Sequence, residues 1–585
     1  MTSTDPVTLE ILANGFASVA EEMGASLIRS SYSPIIREML DCSCAVFDRH
    51  GRLLAQAEHI PAQLGLMEFA LRHTLAELPP HTLSEGDLLL MNHPYHGGSH
   101  TPDLQTYMPI FQGGQIMAYA GTVAHHIDVG GRVPCTEGID NTEIYQEGLL
   151  LAPLKLYDRG VLNDAVYNII RDAVRDPVAT LGDLRAQVSA CHKGAQRFAE
   201  LAEHYGAETL THYADQLMLY TERRVRDEIA TWPDGVYEAE GFMDDDGVER
   251  DKPVRLHARV VVDGDEVTVD LTGCAPQVRG AINLPHASTH AAVYFALKSV
   301  VGSGIPQNAG ATRPITILTR PGTIVQPRSP APVSVRHITC QRLTDVLLAA
   351  LSQALPDRAI AACHVSFPTF GFGGYDASRE RNALITDILG GGYGAMPGAD
   401  GLDAVDTYTS NCGILPAEVA ELEYPWRIVR TELVPDSGGA GTYRGGLGLR
   451  RDYLLLADEA FGNYYVEQTN PAFAPRGLNG GFPGAAALAG LGEGGEYSFV
   501  QIPAKAVLAL RRNDRLVLIG AGGGGYGDPL QRDAALVEAD VRDGVVSRQV
   551  ARDQYGVIVD DDGRLDVQAT DILRASMRRS QPWRG

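Results

Sequence analysis

Two strand-like runs that end in histidine and aspartate constrain this sequence more than any other feature. The stretch from Asp87 to Gly131 holds two apolar runs, at residues 88–91 and 116–123. Five of the chain's 17 histidines lie in this stretch, and its candidate ligands are His93, His96, His100 and Asp103 after the first run and His125, His126 and Asp128 after the second. Loops at the ends of buried strands are where a rigid framework presents reactive side chains. Imidazole and carboxylate together suit a divalent metal of intermediate hardness, so we predict that the two loops converge on one ion.

The spacing within each segment is compatible with a shared ion. His100 and Asp103 are three residues apart with Pro102 between them, so both side chains can point the same way from a tight turn. His125 and His126 are adjacent, and consecutive side chains of an extended strand point to opposite faces. One of them should be a ligand and the other an adjoining or catalytic group. Alternatively, each histidine is an ordinary loop residue with backbone hydrogen bonds, an interpretation that suits any single one better than the set.

Asp41 is a further candidate ligand, outside this stretch. It begins a predicted β-hairpin in the segment REMLDCSCAVFDRHGRLLAQ. A carboxylate followed by CSCAVF should be partly buried, and it then needs a cation or several hydrogen-bond donors to stay ionised. The residues alone leave two interpretations open, a metal ligand or a hydrogen-bonded structural aspartate.

Three other polar residues are candidate substrate contacts. Glu147 lies just before an apolar strand and could be a base, a substrate contact or a solvated loop acid. Arg279 and Asn283 lie in QVRGAINLP, ahead of a predicted helix. Both could orient a ligand, and both could instead satisfy a turn.

Charge and composition exclude some classes of function. The formal net charge is -24 and lysine and arginine are scattered, which predicts no nucleic-acid partner. No apolar run approaches 18 residues and no signal-peptide pattern is present, so we expect a cytoplasmic protein that does not enter a membrane. The eight cysteines have no framework spacing, which indicates reduced thiols.

The pattern of predicted elements indicates an α+β, multidomain chain. A helix begins at Asp5 and Pro6, helical periodicity spans residues 164–232, and strand-like alternation follows from residue 236. We predict four regions: a mixed α/β metal-binding domain with a helical layer at 1–235, a β-rich domain at 236–330, an α/β segment at 331–435 and a Gly-rich, β-rich C-terminal domain at 436–585.

Glycine is concentrated late in the chain, at residues 390–394, 437–448 and 522–527. None of these segments fits GxxxxGK[ST], and none shows GxGxxG between a strand and a helix with a later acidic residue. They therefore predict bends in a β-rich domain rather than a nucleotide site.

Several motifs along the chain resemble those of the hydantoinase B family. This family includes N-methylhydantoinase B, the C-terminal half of 5-oxoprolinase, small caprolactamase subunits and large subunits of acetone-type carboxylases. The matching segments are DPVTLEIL, REMLDCSCAVFD, HGGSHTPD, AHHIDVGG, QVRGAINLP, IPQNAG, SGGAGTYRGGLG and GGGGYGDPLQRD. They are spread over almost the whole chain, so they identify the family better than the substrate.

The resemblance implies a ligand set for one divalent ion such as Mn²⁺, Zn²⁺ or Fe²⁺. The implied ligands are Asp41, His100, Asp103 and His125. His126 or Asp128 would then move the proton, and Glu147, Arg279 and Asn283 would contact substrate. Two positions depart from the pattern: Gln63 stands where many relatives have His, and His337 where Asn is more usual. We expect both to lie near substrate.

The same resemblance implies a subunit of an ATP-dependent cyclic amide hydrolase, acting on a lactam, hydantoin or 5-oxoproline-like ring. A partner subunit of the hydantoinase A type would bind ATP and Mg²⁺ and phosphorylate the ring oxygen, in an α2β2 heterotetramer. This chain would supply water activated by its metal. An acetone-type carboxylase subunit is the first alternative, and a non-catalytic framework for the partner is the second.

Overall fold

A computed structural model describes residues 5–492 and 498–580. The helices of this part of the chain are α1 (Pro6–Ser30), α2 (Pro34–Arg37), α3 (Pro61–Glu77), α4 (Asp164–Ala173), α5 (Pro177–Tyr205), α6 (Ala207–Ile229), α7 (His286–Val301), α8 (Arg336–Ala354), α9 (Ala417–Glu423), α10 (Ala534–Arg542), α11 (Arg548–Asp553) and α12 (Val567–Ser580). Its strands are β1 (Cys42–Asp48), β2 (Leu53–Gln56), β3 (Leu88–Met91), β4 (Asp103–Gln112), β5 (Gln115–His125), β6 (Leu154–Asp158), β7 (Val161–Leu162), β8 (Gly235–Met243), β9 (Val254–Asp263), β10 (Glu266–Asp270), β11 (Ile315–Leu318), β12 (Thr369–Asp376), β13 (Arg381–Ile388), β14 (Trp426–Leu433), β15 (Leu449–Leu455), β16 (Glu459–Tyr465), β17 (Leu488–Gly492), β18 (Phe499–Gln501), β19 (Lys505–Arg511) and β20 (Arg515–Ile519). The predicted α+β, multidomain class is confirmed.

The first helix begins where its capping residues predict. The Asp5 carboxylate accepts a hydrogen bond from the Thr8 N–H at 2.9 Å, and Pro6 occupies the first helical position, where no backbone donor is needed. The buried face of α1 carries Phe16 and Met23, and it packs against α5. This packing places α5 along the N-terminal sheet.

The N-terminal sheet is antiparallel, with strand order β2-β1-β5-β4-β3-β6-β7. The expectation of two loops rich in His and Asp is partly wrong, because β4 lies between the two predicted strands and begins at Asp103. Buried polar side chains such as Gln105 and Thr106 interrupt the apolar pattern of β4, which is why the sequence does not reveal it. Asp103 pairs with His125 across β4 and β5, so two candidate ligands are fixed by strand register.

Side chains of β4 alternate between two helices. The Tyr107 hydroxyl donates to a backbone carbonyl of α3, whereas Thr106 contacts Cys191 of α5. The sheet is therefore enclosed between α3 and α5. Alternate residues of a strand point to the same face, so Asp103 shares the α3 face with Tyr107. Its cross-strand partner His125 lies on that face too.

Strand pairing and helix packing cross the two later domain boundaries that the sequence predicts. Helix α8, expected in the third region, packs against β8 and β9 of the second sheet, with strand order β11-β10-β9-β8. Two further sheets, β13-β12-β16-β19 and β14-β15-β20-β17-β18, both cross the expected boundary at residues 435–436. Their partners come from both sides of the boundary, and composition does not report such long-range pairing. The start of the second sheet at Gly235 coincides with the predicted boundary there.

The three glycine-rich segments pack directly on one another. The Gly446 N–H donates to the Tyr393 carbonyl, and the Gly523 N–H donates to the Gly446 carbonyl, both at 2.8 Å. A Cβ atom at Gly392 would lie 2.0 Å from the Gly446 carbonyl oxygen. Glycine is therefore required here because backbone meets backbone. Across the part of the chain that the structure describes, no helix is long and apolar enough to cross a membrane.

Candidate functional site

The four predicted ligands lie together on the α3 side of the N-terminal sheet. Asp41 precedes β1, His100 lies between β3 and β4, and Asp103 and His125 occupy paired strand ends. The Asp103 Oδ1 atom is 3.2 Å from His100 Nε2 and 3.3 Å from His125 Nδ1. Asp41 Oδ2 lies 3.8 Å from His125 Nδ1. We call these four residues the Asp103 cluster.

Two buried atoms of the Asp103 cluster lack hydrogen bonds. His100 donates its Nδ1–H to the Ser334 carbonyl at 2.8 Å, so its Nε2 carries a lone pair. That lone pair faces Asp103 Oδ1, and neither atom has a hydrogen-bond partner among the described residues. When His100 is neutral, these atoms are two acceptors that face each other in a buried site, and such a pair is stabilised by a cation between or beside them. Imidazole nitrogen and carboxylate oxygen are ligands that Mn²⁺, Fe²⁺ and Zn²⁺ all accept, so the residues fit the implied ion.

The electrostatics of the cluster favour positive charge. Burial alone would raise the pKa of Asp103, but His100, His125 and Arg336 outweigh it and hold that pKa well below its ordinary value. Although burial opposes protonation of His125, the Asp103 and Asp41 carboxylates raise the pKa of its imidazole to about 9. The Arg336 guanidinium lies 3.1 Å from Asp103 Oδ2, so Oδ1 remains the free oxygen.

Gln63 orients Asp41. From α3 its amide Nε2–H donates to Asp41 Oδ1 at 2.7 Å, and its Oε1 accepts from the Ser43 hydroxyl at 3.0 Å. This bond leaves Asp41 Oδ2 directed toward His125. The residue marked in the sequence as a departure from the family pattern therefore touches a candidate ligand.

Glu137, His337 and Tyr465 adjoin the cluster. Glu137 Oε1 lies 3.4 Å from His100 Nδ1 and 3.8 Å from His337 Nδ1. The Tyr465 hydroxyl donates to Glu137 Oε2 and accepts from His337 Nε2, each at 2.8 Å. Burial, with the nearby Arg336 charge, lowers the pKa of His337 well below its usual range, so this imidazole is neutral.

Sequence reasoning missed Glu137, Arg336 and Tyr465. Glu137 had a usable signal, since it lies in PCTEGID directly after the second His and Asp segment. Arg336 and Tyr465 come from α8 and β16, far along the chain, and only the fold brings them here.

The Asp103 cluster lines a small pocket. The apolar part of its wall is formed by Ile35, Ile60, Phe367 and Ile388. The polar part includes Gln341, Thr409 and Ser410. A small ring with one polar edge matches such a wall.

The structure places His126 and Asp128 outside this pocket. His126 lies on the α5 side of the sheet, where its Nε2 is 2.9 Å from Gln187 Oε1. Asp128 forms an ion pair with Arg175 at 2.8 Å and accepts the Arg175 and Gly130 N–H groups. His126 is turned away because consecutive residues of extended backbone, here His125 and His126, send their side chains to opposite faces.

Of the three predicted substrate contacts, none lines the pocket. Arg279 is exposed, and buried Asn283 donates to the Val278, Gly280 and Pro332 carbonyls, as its structural alternative predicts. Glu147 is buried and its Oε1 accepts the Val333 and Ser334 N–H groups. Because the Ser334 carbonyl accepts from His100, Glu147 holds the segment that sets the orientation of His100.

Known proteins match this chain along nearly its whole length. The model of the family described as "Hydantoinase B/oxoprolinase" matches residues 5–529. The B-type subunit of a putative D-/L-hydantoinase from Pseudomonas sp. (strain NS671) is 37% identical, over 97% of this chain and 98% of that protein. The crystal structure of ATP-dependent caprolactamase from Pseudomonas jessenii superimposes with a TM-score of 0.90 at 30% identity, over 98% of this chain and 100% of that one. Nucleotide-free acetone carboxylase shares the fold, with a TM-score of 0.88 at 20% identity over 99% of this chain and 84% of that one.

Proposed function

Because this chain belongs to the hydantoinase B/oxoprolinase family, we propose that it is the metal-dependent subunit of an ATP-dependent cyclic amide hydrolase. Its substrate would be a lactam, hydantoin or 5-oxoproline-like ring, activated by phosphorylation in a partner subunit of the hydantoinase A type. The two subunits would assemble as an α2β2 heterotetramer. The observation that carries this proposal is the convergence of His100 Nε2 and His125 Nδ1 on Asp103 Oδ1, with all three residues buried in one pocket.

Phosphorylation answers a chemical difficulty of the substrate. Amide resonance makes the carbonyl carbon of an unstrained ring a poor electrophile and its nitrogen a poor leaving group. A phosphoryl group on the oxygen removes that resonance. Addition of water to the carbon and cleavage of the C–N bond then give an acyl phosphate and the free amine. A second water hydrolyses the acyl phosphate to the open acid and phosphate. The absence of a phosphate-binding motif from this sequence agrees with placing ATP on the partner.

The Asp103 cluster would hold the ion. When bound, a divalent ion lowers the pKa of water and stabilises developing negative charge. Arg336 fixes Asp103 through Oδ2, Gln63 fixes Asp41 through Oδ1, and the Ser334 carbonyl fixes the His100 tautomer. These contacts hold three ligands in place before substrate arrives.

Glu137 is the group we assign to proton transfer, in place of His126 and Asp128. Its Oε1 lies beside the cluster in the pocket, and the Tyr465 hydroxyl occupies its other oxygen. Glu137 Oε1 would take a proton from water and return it toward the departing ring nitrogen. The Tyr465 bond keeps Oε1 turned toward the pocket.

Replacing Glu137 with glutamine should retain the metal and lower the rate of ring opening by about 10² to 10⁴, the range for a lost general acid or base. The amide keeps the shape of the side chain but has no basic oxygen. Metal content and single-turnover rates of the complex measure the two effects. Glu143→Gln, a change at an exposed glutamate of the same segment, should alter neither. Loss of metal from Glu137→Gln would make Glu137 a ligand instead.

The function itself is tested with the purified two-subunit complex. It should open one member of a panel of lactams, hydantoins and 5-oxoproline, with ATP consumed and with no requirement for bicarbonate. This chain alone should neither hydrolyse ATP nor open a ring. Robust ATP hydrolysis by this chain alone contradicts the division of roles, and a carboxylated product that needs bicarbonate would establish the carboxylase alternative. A complex that is active after all four cluster residues are replaced would leave this chain the role of a framework.

A further inference from the structure

Two histidines lie together in the first half of α7, away from the pocket of the Asp103 cluster. His286 and His290 are four residues apart, so both imidazoles project from one face of the helix. Their Nε2 atoms are 3.2 Å apart and their ring planes are perpendicular. Neither residue lines the pocket of the Asp103 cluster.

A hydroxyl oxygen completes this group. Thr319 Oγ1 lies 3.3 Å from His286 Nε2, and its own hydrogen is donated to Gln326 Oε1 at 2.8 Å. The threonine oxygen therefore presents only lone pairs to the histidine. His290 Nδ1 is 3.2 Å from the Tyr294 hydroxyl, which fixes the ring so that Nε2 faces His286.

The environment keeps both imidazoles neutral. Burial lowers the pKa of His290 to about 4, with the neighbouring His286 and Arg72 adding to the effect. Burial, with His73 nearby, also lowers the pKa of His286. The neutral form is the one that ligates a metal.

We propose that His286, His290 and Thr319 bind a second divalent ion of the Zn²⁺, Co²⁺ or Ni²⁺ class. Ligands about 2.1 Å from a tetrahedral ion lie about 3.4 Å from one another. His286 Nε2 lies at a similar distance from its two neighbours, 3.2 Å from His290 Nε2 and 3.3 Å from Thr319 Oγ1. Two nitrogens and one oxygen leave a fourth position for water. Phe69, whose ring lies within 5.5 Å of both imidazole centroids, gives the site an apolar wall.

The test is the metal stoichiometry of the full chain, titrated with Co²⁺ after chelator treatment. The unaltered chain should bind two equivalents, and His286→Ala and His290→Ala should each bind one. His73→Ala is the matched control, because His73 contacts the same Phe69 ring without belonging to the group, and it should keep two. His100→Ala should lose the other equivalent and keep this one.

Retention of the equivalent at the Asp103 cluster shows that a variant is folded, so loss of structure cannot imitate the expected result. Thr319→Val provides a milder change and should weaken binding of the second Co²⁺ only. One equivalent in the unaltered chain that both His286→Ala and His290→Ala retain, or two equivalents in both variants, would overturn the proposal and leave the pair as hydrogen-bonded neighbours. Neither result depends on the activity of the complex, so the proposed hydrolase function stands or falls separately.

Discussion

Replacing Asp103 with alanine should release the metal of the cluster and lower ring opening by about a thousandfold or more. Its Oδ1 lies between His100 and His125, so its loss removes the one atom that both histidines share. A thousandfold effect corresponds to about 4 kcal/mol of lost transition-state stabilisation, within the several kcal/mol that a catalytic ion supplies. Elemental analysis of this chain and single-turnover assays of the complex measure the two losses.

Asp128→Asn is the matched control for this change. Asp128 is a buried aspartate three residues beyond the end of β5, but its carboxylate binds Arg175 rather than the cluster. We expect the asparagine variant to keep its metal and most of its activity. A metal-replete Asp103→Ala protein, or loss of metal from Asp128→Asn, would contradict the ligand assignment.

The partner's reaction provides a second readout for Asp103→Ala. If phosphorylation occurs on the other subunit, the variant complex should still consume ATP without opening the ring. The activated intermediate should then either accumulate or break down to the intact ring. A complex in which ATP consumption falls in step with metal content would place the ion in the phosphorylation step. These two outcomes distinguish the proposed division of roles from a single shared site.

The Asp103 cluster could be predicted from the sequence because its histidines and aspartates are concentrated in short segments. His100, Asp103 and His125 follow strand signals within one stretch, and side-chain alternation predicts that His125 and His126 separate. The register that pairs Asp103 with His125 could not be predicted, because β4 is masked by buried polar residues. One of them, Thr106, contacts Cys191 of α5, a partner that no local pattern reveals.

The rest of the site depends on distant parts of the chain. Arg336 enters from the first turn of α8, and Tyr465 enters from the end of β16. Neither position carries a local signal, because an arginine or tyrosine is informative only beside the aspartate or glutamate that it contacts. For the same reason, no local signal reveals that β14 pairs with β15 across the predicted boundary at residue 435.

The buried polar contacts behind the cluster are themselves part of the site. Glu147 and Asn283, expected at the substrate, instead hold residues 332–334, and the Ser334 carbonyl of that segment sets the tautomer of His100. Residues that orient a metal-coordinating side chain commonly matter nearly as much as that side chain itself. The sequence therefore identified Glu147 and Asn283 as residues that matter to the site. It did not show that they lie behind the cluster rather than beside the substrate.

Replacing His125 with alanine should remove metal and ring opening together, again by about a thousandfold or more, whereas replacing its neighbour His126 should leave both in place. His125 faces Asp103 and Asp41, but His126 faces α5 and Gln187. The His126→Ala change deletes a buried ring and its hydrogen bond, so it should lower the free energy of unfolding by about 2–4 kcal/mol. Metal analysis, single-turnover rates and urea unfolding of both variants give the comparison.

Gln187→Ala provides the control for His126, because it removes the same hydrogen bond from the α5 side and should likewise affect stability without releasing metal. The sequence also allowed His126 to move the proton, and that role makes a different prediction. A folded His126→Ala protein with full metal and a rate lowered 10²-fold or more would return proton transfer to His126. If His126→Ala loses the metal and His125→Ala keeps it, the two faces of β5 are assigned in reverse. Unchanged metal in both variants would mean that the ion, if bound, is held without the ends of β4 and β5.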